Sequence, residues 1–314
     1  MKTELDKLFD MLEGKTVTVI GMGVSNTPLI KMLADMGITV TARDKNENLG
    51  ELESELESLG IKLYLGENYL EDIDEDVVFK TPGMRFDHPQ LAKARERGAH
   101  ITSEMELFYQ LCPAKKFGIT GSDGKTTTTT LIYEMLKKQG YVCHLGGNIG
   151  APLLNRIGSI DADDMVITEL SSFQLHTMTT SPEIAVITNL APNHLDMHKS
   201  MDEYIEAKEN IFKYQNENHI LITNLDNDIT RDISKKAPSS VIYFSRQTKP
   251  KKGVWLDGDM IMSNISGEDT QVLTIKDIRL PGIHNVENYM TAIAAVWEFV
   301  DIETINYIAK NFGG

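Results

Sequence analysis

The run Gly121-Ser122-Asp123-Gly124-Lys125-Thr126-Thr127 follows the apolar segment KKFGIT and precedes TTTLIYEMLKKQG. Two glycines, a lysine and a hydroxyl residue in that order suit one kind of chemistry. Glycine lets the chain turn sharply, and the first amides of the helix that follows have no acceptor within it. Those amides and the helix dipole face any anion placed at the turn. Lys125 can reach terminal phosphates, and the Thr126 hydroxyl can ligate Mg²⁺. The strict G-x-x-x-x-G-K-[ST] spacing is not met, because Ile119 stands where its first glycine belongs. The plainer alternative is a capped helix after a polar turn. Threonine is a weak helix former, which favours nucleotide-phosphate binding instead. Thr127 can touch the same phosphate. Thr128, Thr129 and Thr130 are expected on the helix surface or in packing.

Other candidates lie further along. Glu169 ends the apolar run MVITEL, where a carboxylate one strand from a phosphate turn is the usual second handle on Mg²⁺. TNLAPNHLDMHKS carries His194, Asp196 and His198. That spacing is thin support for zinc, and a single histidine turned to the nucleotide is more economical. Lys208 shares a helical face with Ile205 and Phe212 in MDEYIEAKENIF. An inward lysine has a lowered pKa and is available to pair, act as base or be modified; a snorkelling lysine is the commoner outcome. Asn285 and Asn288 stand at a helix start in GIHNVENYM. Asn285 reads as an N-cap, and the Asn288 amide could read a base edge. Near the amino terminus, GMGVSN (21–26) opens a helix and Asp44 ends the next strand. This resembles a dinucleotide turn, but Asn26 replaces the third glycine, so the motif supports a phosphate-bearing ligand in general as well as NAD.

These residues need a scaffold. The chain has 314 residues, 41% of them hydrophobic, and a formal net charge of −15. That suits about two domains and argues against a long nucleic-acid groove. Two cysteines give no disulfide framework, and no apolar run is long enough for a membrane span or a signal peptide, so a cytoplasmic protein is expected. Strands at 15–21 and 38–44 alternate with helices at 25–37 and 51–60, and Leu52, Leu56 and Leu59 share one helical face. The alternation argues for a doubly wound parallel α/β sheet. A second α/β unit holds the phosphate turn, further strands at 165–170, 183–190 and 219–225, extra β structure near its end, and a helix over 286–300. The boundary is expected within 103–112, giving domains 1–108 and 109–314.

Taken in order, GMGVSN, TPG (81–83), GSDGKTT, GGNIG (146–150), ELSSFQL, NHLDMH, YIEAKENIF and GIHNVEN resemble the Mur ligases of bacterial cell-wall synthesis over essentially the whole chain. ELSSFQL with GNIG is most similar to the members that add D-glutamate. The resemblance implies a Rossmann-like domain that binds the UDP of the substrate, then a P-loop-type ATP-binding α/β domain with extra β structure. It implies that Val24, Ser25, Asn26, Lys45, Thr81, Pro82 and Gly83 lie by the UDP, and that Asn148, Ser171 and Gln174 line the sugar and alanyl end. It assigns Gly121 to Thr127 to ATP, Thr126, Glu169 and His194 to Mg²⁺, and Asn285 and Asn288 to the neighbourhood of adenine. Lys208 matches the family's carbamylated lysine, an anionic metal partner made from neutral amine and CO₂.

The implied substrates are UDP-N-acetylmuramoyl-L-alanine, D-glutamate and ATP, joined through an acyl phosphate, with no nucleic acid, no membrane insertion and a monomeric enzyme. Family members carry a third, carboxyl-terminal domain that holds D-glutamate and closes over ATP; the 314 residues stop before it. The expectation is that these residues bind substrates but do not complete ligation. Competing readings are an NAD-dependent dehydrogenase, a GTPase-type switch and a non-catalytic nucleotide-sugar-binding module.

Overall fold

The computed structural model describes residues 2–192 and 199–314, and every count below is of those residues. It divides into two compact units, residues 1–113 with 151–160, and residues 114–150 with 161–314. Sequence order alone suggests one boundary and puts 151–160 in the second domain. The carboxylate of Glu104 is one reason it joins the first unit: Oε1 accepts from the amides of Leu153 (3.0 Å) and Leu154 (2.8 Å). Leu153, Leu154 and Ile157 are fully buried.

The first unit has β1 (Thr16–Ile20), β2 (Thr39–Asp44), β3 (Lys62–Leu65), β4 (Val77–Phe79) and β5 (His100–Thr102), with α1 (Glu4–Leu12), α2 (Asn26–Asp35), α3 (Glu51–Ser58), α4 (Pro89–Glu96) and α5 (Glu104–Leu111). All five strands are parallel, in the order β3-β2-β1-β4-β5. Val17, Val19 and Ile20 are fully buried, as a central parallel strand covered on both faces requires. Because β1 lies between β2 and β4, the chain leaves it toward one side and returns on the other, which opens a crevice at the carboxyl ends. In α3, Leu56 is buried but Leu59 is 41% exposed, because Leu59 is the C-cap, where the helical face has ended.

Asn26 explains how the first turn works without its third glycine. It is 3% exposed, and its Nδ2 donates to the carbonyls of Ile20 and Gly21, each at 3.0 Å. The amide thus ties the start of α2 back onto the end of β1.

The second unit has β6 (Lys115–Thr120), β7 (Cys143–Gly147), β8 (Met165–Glu169), β9 (Ile184–Ile187), β10 (Ile220–Asn224), β11 (Ser240–Ser245), β12 (Gly253–Asp257), β13 (Met260–Ser263) and β14 (Thr270–Thr274). Its helices are α6 (Lys125–Gln139), α7 (Ser172–Leu175), α8 (Met201–Lys213), α9 (Asp228–Ile233), α10 (Ile283–Val296) and α11 (Ile302–Asn311). The sheet order is β14-β13-β12-β11-β10-β9-β6-β8-β7. Strands β7 to β12 run parallel with β6, and β13 and β14 add an antiparallel edge. Phe117, Ile119, Leu131, Ile132, Met135, Tyr289 and Ile293 are fully buried in one core formed with α6 and α10. Among the described residues no helix is long and apolar enough to cross a membrane.

Asn26→Ala should destabilise the first unit by about 1–3 kcal/mol, since two buried carbonyls lose their donor. Urea unfolding read against wild type checks this; an unchanged midpoint would show that the side chain holds nothing.

Candidate functional site

β6 ends at Thr120, the chain turns through 121–124, and α6 begins at Lys125. Gly121 has φ +149° and a Cβ there would lie 1.9 Å from Thr188 Oγ1. Gly124 has φ +78° and its Cβ would lie 2.4 Å from Asn288 Oδ1. Both positions exclude a side chain on conformation and on space. The turn is pinned from outside: Ser122 N donates to Asn189 O (2.9 Å), Asp123 N to Asn189 Oδ1 (3.0 Å), and Thr188 Oγ1 to Asp123 O (2.6 Å). Ser122 Oγ pairs with Tyr204 Oη at 3.0 Å and donates to Ala191 O at 3.1 Å. The amides of Gly124, Lys125, Thr126 and Thr127 meet no acceptor among the described residues. Four open donors at a helix start form an anion cradle. Lys125 Nζ folds back to Ser122 O at 2.9 Å.

Glu169, at the carboxyl end of β8, is 2% exposed. Its Oε2 accepts from Thr126 Oγ1 (2.7 Å) and its Oε1 from Asn148 Nδ2 (2.9 Å). Both partners are neutral, and no lysine, arginine or described histidine forms an ion pair with it. Asn148 also donates its backbone amide to Glu169 O at 2.8 Å. Gly147, with φ +90°, permits that approach, because a Cβ would lie 2.1 Å from Glu169 O.

Lys208, on α8, is 2% exposed and donates to Thr120 Oγ1 (2.9 Å) and Gly121 O (3.0 Å). Burial, the larger cause, and the nearby charge of Lys125 together pull its pKa down to about 7, with Glu169 opposing both. The inward orientation expected from helical spacing is the observed one. His194 lies outside the described residues, as do Asp196 and His198.

Thr128 and Thr129 are fully buried in packing and Thr130 is half-buried, within the expectation of surface and packing, and Thr128 Oγ1 donates to Asn288 Oδ1 at 3.3 Å. Other expectations change. The N-cap of α10 is Gly282, so Asn285 sits three residues inside the helix. Asn285 Nδ2 donates to Pro281 O (2.7 Å) and Asn288 Nδ2 to Asn285 Oδ1 (3.0 Å). The Asn288 carboxamide is thus buried behind Gly124, giving one N–H to Asn285 and accepting from Thr128. Ser171 and Gln174 form the capping box of α7, each bonding the other's backbone amide.

In the first unit a pocket of about 730 Å³ opens at the carboxyl ends of β1, β2 and β4. Lys45, Thr81 and Gly83 line it; Val24, Ser25, Asn26 and Pro82 do not, Asn26 because its amide is turned into the fold. Val24 is 82% exposed. The walls also include Asn46, Tyr69, Arg85 and His88, which sequence reasoning missed. The proline after His88 marked a helix start, and that was the available signal. Asp44 holds the turn by accepting from Met22 N (2.7 Å) and Asn46 N (2.9 Å).

The donor set around Glu169 fits a hard divalent cation. A hydroxyl and a carboxylate oxygen adjoin an anion cradle, and among the described residues the buried carboxylate lacks an ionic partner. Among the described residues no cluster of three or more histidine, cysteine, aspartate or glutamate side chains is present. Phosphate oxygens and water would supply the remaining ligands of Mg²⁺.

The "Mur ligase middle domain" profile matches residues 119–296, and the "Mur ligase MurD-like, N-terminal domain" profile matches residues 15–103. The chain is 51% identical over 318 positions to the UDP-N-acetylmuramoylalanine–D-glutamate ligase of Acetivibrio thermocellus, spanning 100% of this chain and 68% of that protein. It is 52% identical over 317 positions to the same-named ligase of Clostridium botulinum strain Langeland, with the same two coverages. Among solved structures, the UDP-N-acetylmuramate:L-alanyl-gamma-D-glutamyl-meso-diaminopimelate ligase of Neisseria meningitides superposes with a TM-score of 0.65 at 19% identity, covering 96% of this chain and 98% of that one. The UDP-N-acetylmuramate-alanine ligase MurC of Thermotoga maritima gives 0.55 at 21%, covering 95% and 68%. These two share the α/β fold.

Gly121→Ala should cost several kcal/mol or prevent folding of the second unit, because backbone conformation and the Thr188 hydroxyl both oppose it (roughly 2–4 kcal/mol on general grounds). Thermal unfolding checks this, and a variant as stable as wild type would contradict the packing. Lys208 gives a pH signature. The unfolded lysine, with the ordinary value of 10.5, holds its proton between pH 7 and 10.5, while the folded one releases it. Its contribution to stability should therefore rise with pH across that window, and its full cost is present below about pH 7. Lys208→Met should gain on wild type at pH 6 relative to pH 9 by roughly 2 kcal/mol in urea unfolding. An equal difference at both pH values would refute the buried-amine assignment.

Proposed function

The chain belongs to the Mur ligase family, and on that premise we propose that it is the ATP-dependent ligase that joins D-glutamate to UDP-N-acetylmuramoyl-L-alanine in peptidoglycan precursor synthesis. The observation that carries the proposal is the turn at 121–127: two glycines that admit no side chain and, among the described residues, four amides without acceptors beside a buried carboxylate without an ion partner. Identity of about half over the whole chain to ligases of that name supports the choice of substrates.

In this reading the amides of 124–127 hold the ATP phosphates and Lys125 swings from Ser122 O to the transferred phosphoryl group. Thr126, Glu169 and, from its place in the sequence, His194 hold Mg²⁺, which supplies positive charge to offset that gathering on the phosphates. The substrate's alanyl carboxylate attacks the γ-phosphorus and ADP leaves, giving an acyl phosphate. The amine of D-glutamate then attacks the acyl carbon, phosphate leaves, and the amine gives up a proton. Two anions must meet in the first step, so fixed donors at the turn are the largest help the protein can give. Neutral Lys208 would react with CO₂ to give a carbamate and a proton, placing an anionic oxygen beside the metal.

The pocket of the first unit is proposed to take UDP, with Lys45 toward the diphosphate and Thr81 and Gly83 along its wall. Asn148, Ser171 and Gln174 are proposed to meet the sugar and alanyl end. Asn288 braces the turn from behind, with Asn285 bonded to it, and both are proposed to lie near adenine. We further propose a cytoplasmic, monomeric enzyme that binds no nucleic acid. The chain spans 68% of the length of its curated relatives. No D-glutamate contact is assigned within it, so a polypeptide of these 314 residues is expected to bind substrates without completing ligation.

A thermal-shift panel tests the assignment. UDP-N-acetylmuramoyl-L-alanine and ATP with Mg²⁺ should each raise the melting temperature, and NAD should not. Lys125→Ala should weaken ATP about 10- to 100-fold and leave the UDP-sugar response unchanged. A shift with NAD, or an ATP response indifferent to Lys125, would sink the reading.

A further inference from the structure

β11 pairs with β10 along most of its length but with β12 only from Tyr243 onward. Successive residues of a strand send their amides to opposite sides. Ser240 N donates to His219 O on the β10 side (3.2 Å), and Tyr243 N donates to Lys252 O on the other (3.1 Å). Val241 therefore turns its N–H toward the side where β12 has not begun, and it meets no acceptor among the described residues. A pocket of about 380 Å³ opens at that gap, lined by Val241, Tyr243, Ile265, Lys251 and Lys252.

The gap is built rather than slack. Asn264 Nδ2 donates to Pro250 O (3.0 Å), and its Oδ1 accepts from Gly253 N (2.7 Å), which fixes the chain entering β12. A Cβ on Gly253 would lie 1.8 Å from Tyr243 O, so that approach requires glycine. Lys251 and Lys252 are exposed and form no ion pair among the described residues, whereas Lys249 beside them is taken by Asp269 at 2.5 Å. Two uncommitted cations beside apolar side chains stand out in a chain of net charge −15. The gap lies at the amino ends of β11 and β12, whereas the phosphate turn follows the carboxyl end of β6, so the two sites are independent.

We propose that this gap is a docking site for an extended peptide segment that alternates acidic and apolar residues and adds to β11 ahead of β12. One peptide carbonyl accepts the Val241 N–H in continuation of the bond that Lys252 O already makes to Tyr243, one strand step (about 7 Å) along. Alternate side chains rest on Val241, Tyr243 and Ile265, while acidic ones pair with Lys251 and Lys252. A lone directional amide in strand geometry selects a peptide over a lipid surface, which offers no matching carbonyl row.

The test is fluorescence anisotropy with fluorescein-labelled EVEIEV amide, the counterpart KVKIKV amide, and phosphatidylglycerol vesicles as a third arm. Saturable binding of the acidic peptide is expected, weakened about tenfold in Lys251→Glu/Lys252→Glu. Val241→Pro should weaken it too, since it removes an amide that carries no native bond. If Val241→Pro lowers the melting temperature, the lysine variant decides. Absence of saturable binding at millimolar peptide, equal binding of the basic peptide, binding unchanged by the lysine pair, or binding to vesicles alone would each overturn the proposal.

Discussion

A carboxylate removed from water needs something positive close by, and among the described residues the hydrogen bonds to the Glu169 side chain come from a hydroxyl and a carboxamide. Neutral donors offset part of the cost of burial, and an ion would offset far more. The surrounding architecture is organised around that deficit. β8 delivers Glu169 to the sheet's carboxyl edge, and Gly147 lets the neighbouring strand press Asn148 onto it. The first turn of α6 brings Thr126 to its other oxygen. On α8, Lys208 comes close enough for Glu169 to oppose the fall in its pKa, yet bonds Thr120 and Gly121 instead.

The turn at 121–127 has its own constraint, which is rigidity without obstruction. Open amides bind anions only if the loop cannot collapse onto them. Thr188, Asn189 and Asn288 hold the loop from behind, at distances that leave no room for a Cβ on Gly121 or Gly124. Asn288 reaches Gly124 because α10 packs along α6 in one apolar core, and Thr128 completes the link. Packing energy from that core is thereby converted into a fixed cradle.

The first unit reaches a similar end by different means. Asn26 substitutes two side-chain hydrogen bonds for the close packing a third glycine allows. Asp44 accepts two backbone amides and shapes the crevice between β1 and β2. Both residues act on the backbone, and the pocket walls come from the ends of β1 and β2 and from the loops after β3 and β4.

Much of this was legible in the sequence because it is local. Alternating apolar runs and glycine stops mark the parallel α/β order, GSDGKT marks a strand-turn-helix with open amides, and the spacing of Ile205, Lys208 and Phe212 turns the lysine inward. What lay beyond reach depends on partners distant along the chain. Asn285 and Asn288 read as a cap and a base reader, because nothing local reveals that Gly124 lies against Asn288 and that Asn285 bonds it. Residues 151–160 read as part of the second domain until the Glu104 carboxylate is seen to hold their amides. The open amide of Val241 exists only because β12 pairs late with β11. Periodicity and motif order report which backbone each residue prefers; which buried polar group satisfies which other is settled only when strands and helices distant in sequence are brought within hydrogen-bonding reach.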